Sequence, residues 1–123
     1  MTSENIALVQ SFCEAFSRRD PDEILEFFTD DAVYHNMPMP PMTGKPAIRN
    51  VLDMFLKPAK AVEFAMLHIA GEGDIVHTER IDRFDIAGKK VELPVAGVFE
   101  IKNGKIAAWR DYFDMATWTR QTT

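Results

Sequence analysis

Apolar residues along the chain follow two rhythms, a helical one at the start and an alternating one over the second half. Ile6, Val9, Cys13 and Phe16 recur at helical spacing behind a Ser3 cap, and Leu8, Phe12 and Ala15 widen the stripe. This predicts a first helix that stops near Arg18-Arg19. Asp20-Pro21-Asp22-Glu23 predicts a second start, with an acidic cap, proline at the first helical position and glutamate at the third. Ile24, Leu25, Phe27 and Phe28 form its apolar face, and it is expected to end at Thr29-Asp30-Asp31. Ala32 to Asn36 reads as a strand, with Tyr34 and Asn36 on one face and Val33 and His35 on the other. The prolines of Met37-Pro38-Met39-Pro40-Pro41-Met42 exclude helix and sheet interior. That loop is either a rigid connector or a lid or pocket rim, where methionines adapt to an apolar ligand. A third helix is expected from Pro46 to about Leu56, burying Ile48, Leu52, Phe55 and Leu56.

Alternation then takes over. Four strands are predicted: Val62–Ala70, Ile75–Asp85, Val91–Ile101 and Ile106–Phe113. The connecting segments Gly71-Glu72-Gly73-Asp74, Gly88-Lys89 and Lys102-Asn103-Gly104 all have turn chemistry. Asp114 to Thr123 is expected to open as a short helix capped by Asp114. Helices first and antiparallel strands after argue for an α+β fold in one domain, residues 1–123. The expected form is a curved, mostly antiparallel sheet, covered by helices on one face and shaped as a cone around a deep apolar pocket.

Composition narrows the partners more than the fold. The chain has 123 residues, enough for a real core, and a net charge of −5, which disfavours nucleic acid and anionic membrane. Its single cysteine, Cys13, lies in a core stripe and reads as an inert thiol rather than a nucleophile. The opening residues carry neither a basic run nor a long apolar stretch. No signal peptide or membrane span is expected, and the cytoplasm is the default location.

One strand breaks the apolar pattern. Val76, Thr78, Arg80, Asp82 and Phe84 share a face, so a core-facing surface carries an arginine and a carboxylate at its middle. A Gly88-Lys89 turn would pair Ala87 with Lys90, setting Asp82 opposite Val95 and Arg80 opposite Gly97. A two-residue Asn103-Gly104 turn would set Asp111 opposite Ala96 and mix the faces, so a three-residue Lys102-Asn103-Gly104 loop with a glycine bulge is expected, setting Asp111 opposite Val95 and Trp109 opposite Gly97. Asp82, Val95 and Asp111 would then form one row, with Arg80 beside a glycine that leaves room for its guanidinium. Ala107, Trp109 and Phe113 are expected on Asp111's face. An arginine between two carboxylates in a poorly solvated pocket splits their proton affinities, giving an acid and a base across a small cavity. The alternative is a buried structural ion pair.

The segments Tyr34-His35-Asn36-Met37-Pro38, Glu79-Arg80-Ile81-Asp82, Leu93-Pro94-Val95-Ala96-Gly97-Val98-Phe99 and Trp109-Arg110-Asp111-Tyr112-Phe113-Asp114 resemble the limonene-1,2-epoxide hydrolase family. That family sits in the cone-shaped superfamily of nuclear transport factor 2, ketosteroid isomerase and SnoaL-like proteins. The resemblance implies one-step epoxide opening without a covalent intermediate, metal or organic cofactor. Asp111 would be the general base, drawing a proton from a water that Tyr34 and Asn36 also hold. Asp82 would be the acid that protonates the epoxide oxygen, and Arg80 would bridge both carboxylates. The implied pocket positions are Phe84, Leu93, Val95, Trp109, Phe113 and Trp118, to which Met37 of the proline-rich loop and Phe55 of the third helix are added. The implied substrate is an apolar epoxide, and the implied assembly a homodimer, which the apolar outer face of Pro94, Ala96, Val98, Ala108 and Tyr112 permits. His35 lies on the face opposite Tyr34 and Asn36, and His68 and His77 have no carboxylate or cysteine at ligand spacing, so no metal site is expected. Two other classes share the cone: a cyclase or isomerase working with one carboxylate, and a non-catalytic binding module. Neither needs an arginine between two acids.

Overall fold

The computed structural model describes residues 2–123. Its helices are α1 (Thr2–Ala15), continued by a 3-10 turn over Phe16–Arg18, then α2 (Pro21–Leu25), α3 (Lys45–Leu56) and α4 (Met115–Thr122). The strands are β1 (Phe28–Asn36), β2 (Met42–Thr43), β3 (Ala59–Glu72), β4 (Ile75–Ile86), β5 (Lys89–Lys102) and β6 (Lys105–Tyr112). They form one open, mixed sheet in the order β2-β1-β6-β5-β4-β3, antiparallel everywhere except between β1 and β6. With helices packed over the sheet, this is the expected α+β architecture. No helix among the described residues is long and apolar enough to cross a membrane.

The stripe on α1 explains how the helices seat. Phe12 sets its ring edge against Trp109 of β6 at 4.9 Å, and Phe16 stacks on Phe64 of β3 at 4.1 Å. Cys13 is buried in the same stripe, and burial pushes its thiol up to about 12, so it is an inert core group.

The second helix is shorter than its apolar pattern predicts. It ends at Leu25, and Phe28 opens β1 instead, paired with Ile106 across the parallel β1–β6 junction. Strand pairing there competes with the helical periodicity and wins: Ile106 N–H donates to Phe27 O at 2.8 Å, and the Phe28 ring is buried. The proline-rich loop also ends early, because Met42 and Thr43 add a short edge strand to Tyr34 and Val33.

Both predicted hairpin registers are displaced by two residues at the level of the acids, although beside the β5–β6 turn the displacement is one. The β4–β5 turn is Ala87-Gly88, with φ of 53° and 77°, and Ile86 pairs with Lys89. Two left-handed residues make the turn whose twist matches the flanking strands, and Gly88 serves as its second member rather than its first. At β5–β6 the turn is the two-residue Asn103-Gly104, with φ of 52° and 76°. The extra residue expected in the loop sits in the strand as a bulge at Ala107, between the pairs Ile101–Ile106 and Glu100–Ala108. Ile106, not Ala107, therefore shares the buried face with Trp109. A displacement of two keeps every other side chain on its predicted face, since strands repeat every two residues.

The corrected rows position the site. Asn36, Asp111, Gly97 and Thr78 form one row across β1, β6, β5 and β4. Asp82 pairs with Leu93, four residues along β5 from Gly97, so the two acids do not share a row. Arg80 pairs with Val95, midway between them.

Candidate active site

That midway position lets one guanidinium reach both acids. Arg80 Nε donates to Asp82 Oδ1 and Nη2 to Asp82 Oδ2, each at 2.9 Å. Nη2 also donates to Asp111 Oδ2 at 2.7 Å, and Nη1 to Asp111 Oδ1 at 3.2 Å. The last N–H goes from Nη1 to Thr78 Oγ1 at 3.1 Å, so all five donors of the arginine are engaged. The ring of Phe64 lies 4.9 Å from the guanidinium carbon. Gly97 is what permits the crossing: a Cβ there would stand 2.5 Å from Arg80 Nη1.

Arg80 is fully buried, and Asp82 and Asp111 are each 3% exposed. Burial opposes the charge on Arg80, yet the fields of Asp111 and Asp82 outweigh it and keep the group cationic. Burial raises the Asp82 carboxyl from 3.8 to about 6; Arg80 pulls against that rise and Asp111 adds to it. Asp82 is thus an acid that can hold a proton close to neutral pH. The Tyr34 hydroxyl is pushed well above its usual value, by burial first and then by Asp111, so it stays a neutral donor.

A cavity of about 360 Å³ opens beside these groups. Asp82, Asp111, Tyr34 and Asn36 all border it, with Phe55, Phe84, Leu93, Val95, Phe113 and Trp118 from the predicted apolar set. Two predicted pocket residues lie elsewhere. Trp109 is on the expected face but deeper, sealed between Tyr34, stacked on it at 4.0 Å, and Phe99 on the β5 side at 5.8 Å. Its indole Nε1 donates to Asp111 Oδ1 at 2.6 Å, so it holds that carboxylate rather than lining the cavity. Met37 begins the turn after β1 and is absent from the cavity wall, its N–H donating to Asp111 O at 2.9 Å.

The cavity also gains residues that sequence reasoning did not name. Phe64 comes from β3, Val51 and Met54 from α3, and Met115 from α4, while Met39 and Pro40 of the proline-rich loop and Met42 of β2 complete the wall. The loop is therefore a pocket rim, the reading its methionines had signalled. Thr78 was noted only as a face residue; its side chain turns out to be a ligand of Arg80, signalled solely by its place two residues before it.

The remaining polar candidates stay outside. His68 pairs with Glu79 at 2.7 Å on the exposed surface, and Arg110 pairs with Glu100 at 2.6 Å. Asp114 caps α4, accepting from Ala116 N–H at 3.3 Å. Among the described residues no three His, Cys, Asp or Glu side chains gather in a way that could hold a metal ion.

Fold and site together define a cone-shaped α+β domain whose apolar cavity ends in a buried carboxylate–arginine–carboxylate bridge. The chain belongs to the limonene-1,2-epoxide hydrolase catalytic domain family, whose pattern it matches over residues 3–123. It is 33% identical over 107 residues to epoxide hydrolase EphG of Mycobacterium tuberculosis, covering 87% of this chain and 71% of that protein. A solved M. tuberculosis epoxide hydrolase described as LEH-like superposes with a TM-score of 0.85 at 32% identity, over 98% of this chain and 90% of that one. A Catenulispora acidiphila protein with a ketosteroid isomerase-like fold superposes with a TM-score of 0.84 at 19% identity, covering 94% and 91% of the two chains, and shares the fold alone.

Proposed function

We propose that this chain is an epoxide hydrolase that adds water to the epoxide of an apolar small molecule, such as a terpenoid, lipid or steroid, to give a vicinal diol. The observation that carries the reading is Arg80, tied to two buried carboxylates that both border an apolar cavity. Asp111 takes a proton from water as the water oxygen bonds to an epoxide carbon. Tyr34 and Asn36 border the same part of the cavity and orient that water. Asp82 gives its proton to the epoxide oxygen as the carbon–oxygen bond breaks, so no alkoxide accumulates. Each turnover leaves the proton on the opposite acid, and its return to Asp82 resets the site. Neither acid bonds to carbon, and no cofactor has a step to perform.

The elevated proton affinity of Asp82 supports its role as the acid. Trp109 holds Asp111 in place for its role as the base, the indole N–H donating to Oδ1 at 2.6 Å. We infer a homodimer as the working form. Pro94, Ala96 and Tyr112 leave the outer sheet face exposed and apolar, and Val98 and Ala108 are half-buried there. Sedimentation of wild type against Tyr112→Glu tests this; a wild-type monomer would reject it.

Single-turnover hydrolysis of a panel of epoxides in 18O-labelled water tests the chemistry. Label in the diol on the first turnover supports direct attack by water. Protein-derived oxygen on that turnover would replace this mechanism with a covalent one. Failure to open any epoxide would overturn the reading altogether.

A further inference from the structure

β5 outruns β6. Their pairing stops at Ala96 and Tyr112, so β5 from Lys89 to Val95 has β4 on one side and no strand on the other. Such an edge presents unpaired main-chain groups. One side chain covers part of it. Glu92 N–H donates to Gln121 Oε1 at 2.8 Å, and Gln121 Nε2 donates back to Glu92 O at 2.9 Å. A carboxamide carries the donor and acceptor of a peptide group, so Gln121 substitutes for one residue of the missing strand.

The clasp matters because of what else α4 carries. No residue of this helix is fully buried; Trp118 packs against the core from a half-buried position. Met115 and Trp118 nevertheless form part of the cavity wall, Trp118 meeting Phe84 edge-on at 5.3 Å. Gln121 also donates to Thr117 O at 3.2 Å, which ties the clasp to the same helical turn as Trp118. Gln121 itself does not border the cavity.

We propose that Gln121 is a specificity-determining positioning residue: by clasping the free edge of β5 at Glu92, it fixes where Met115 and Trp118 bound the cavity and so how large an epoxide fits. The proposal rests on the epoxide hydrolase reading of that cavity. Releasing the clasp lets the α4 wall yield, which favours bulky substrates over compact ones.

The test compares wild type with Gln121→Ala and Gln121→Glu, using kcat/KM for one compact and one bulky bicyclic epoxide. Ionised glutamate keeps the length of the side chain but cannot donate to Glu92 O. The catalytic groups of the free enzyme act on both kcat/KM values alike, so the ratio isolates the wall. Both variants should shift the ratio roughly tenfold toward the bulky epoxide, the scale of a methylene-sized change in an apolar pocket. A ratio within twofold of wild type in a folded variant overturns the proposal. Loss of fold in both variants overturns it too, since Gln121 would then be structural. Calorimetric binding of a small and a large cyclic alcohol repeats the comparison without turnover. If wild type opens no epoxide, the hydrolase reading fails, and the alcohol ratio alone decides the role of Gln121, by the same shift or its absence.

Discussion

A single methyl group at position 97 would fall inside the carboxylate–arginine bridge. Gly97 is not among the glycines with positive φ, so alanine meets no backbone obstacle there and its effect is purely steric. The added Cβ would lie 2.5 Å from Arg80 Nη1 and 2.8 Å from both Asp111 Oδ1 and Thr78 Oγ1. Ordinary contact begins near 3.4 Å, so the guanidinium must retreat by about 0.9 Å and its partners by about 0.6 Å. Asp111 cannot follow freely, because Trp109 holds the same Oδ1 at 2.6 Å. Overpacking of this kind costs about 1–3 kcal/mol, and weakening a charged hydrogen bond adds about 1.5–3 kcal/mol. A displacement near 1 Å in a catalytic constellation lowers rate by about a hundredfold. Gly97→Ala should therefore fold with a lower urea midpoint and lose about two orders of magnitude in kcat/KM. The decisive measurement pairs chemical denaturation with epoxide turnover on the same sample. Wild-type turnover in Gly97→Ala would refute the claim that the bridge needs an open path over this residue.

Asp111→Asn and Asp82→Asn should each reduce turnover by at least about a hundredfold with the circular dichroism spectrum retained; substantial activity in either removes the role assigned to it. Because burial holds Asp82 at about 6, kcat/KM should fall about tenfold per pH unit above that value, and a profile level to pH 8 would exclude Asp82 as the acid. The same shift has a sign for stability. A carboxyl raised from 3.8 to about 6 binds more protons in the folded state, so its contribution is full below 3.8 and lost as pH rises through 6, by roughly 3 kcal/mol. Urea denaturation between pH 4 and 6 should show this slope in wild type and a flatter one in Asp82→Asn. Trp109→Phe keeps most of the stacking on Tyr34 but deletes the donor to Asp111, and should cost about 1–3 kcal/mol and slow turnover; an unaltered rate would leave the indole a packing group only.

Alternation alone put Arg80 with Asp82 on one face of β4 and Tyr34 with Asn36 on one face of β1, whereas bringing Asp111 to them took a count across two hairpins. Pairing itself was not legible. The β4–β5 turn depends on Ala87 accepting a left-handed conformation, which nothing in an alanine advertises, and the bulge at Ala107 leaves no compositional mark. The errors did little harm to the site because both displaced the register by an even number. They did hide why one arginine reaches two acids: it lies between their rows, not beside a shared one. The helix-borne wall was hidden for a different reason. Val51, Met54 and Met115 become lining residues only once helices dock, and a helical stripe does not say what lies opposite it.

Arg80 has no hydrogen left to offer. With every N–H directed at Asp82, Asp111 or Thr78, this buried cation cannot also grip a carboxylate or phosphate on an incoming molecule. Among the described residues the acidic and basic side chains bordering the cavity are Asp82 and Asp111 alone, so an anionic substrate would meet two carboxyl groups and no cation, with only the neutral donors of Tyr34 and Asn36 beside them. The arginine is electrically essential to the pair it joins and chemically silent toward ligands. We propose that recognition rests on shape and on the loss of water from apolar surface, so that uncharged, oily molecules are the ones this chamber retains.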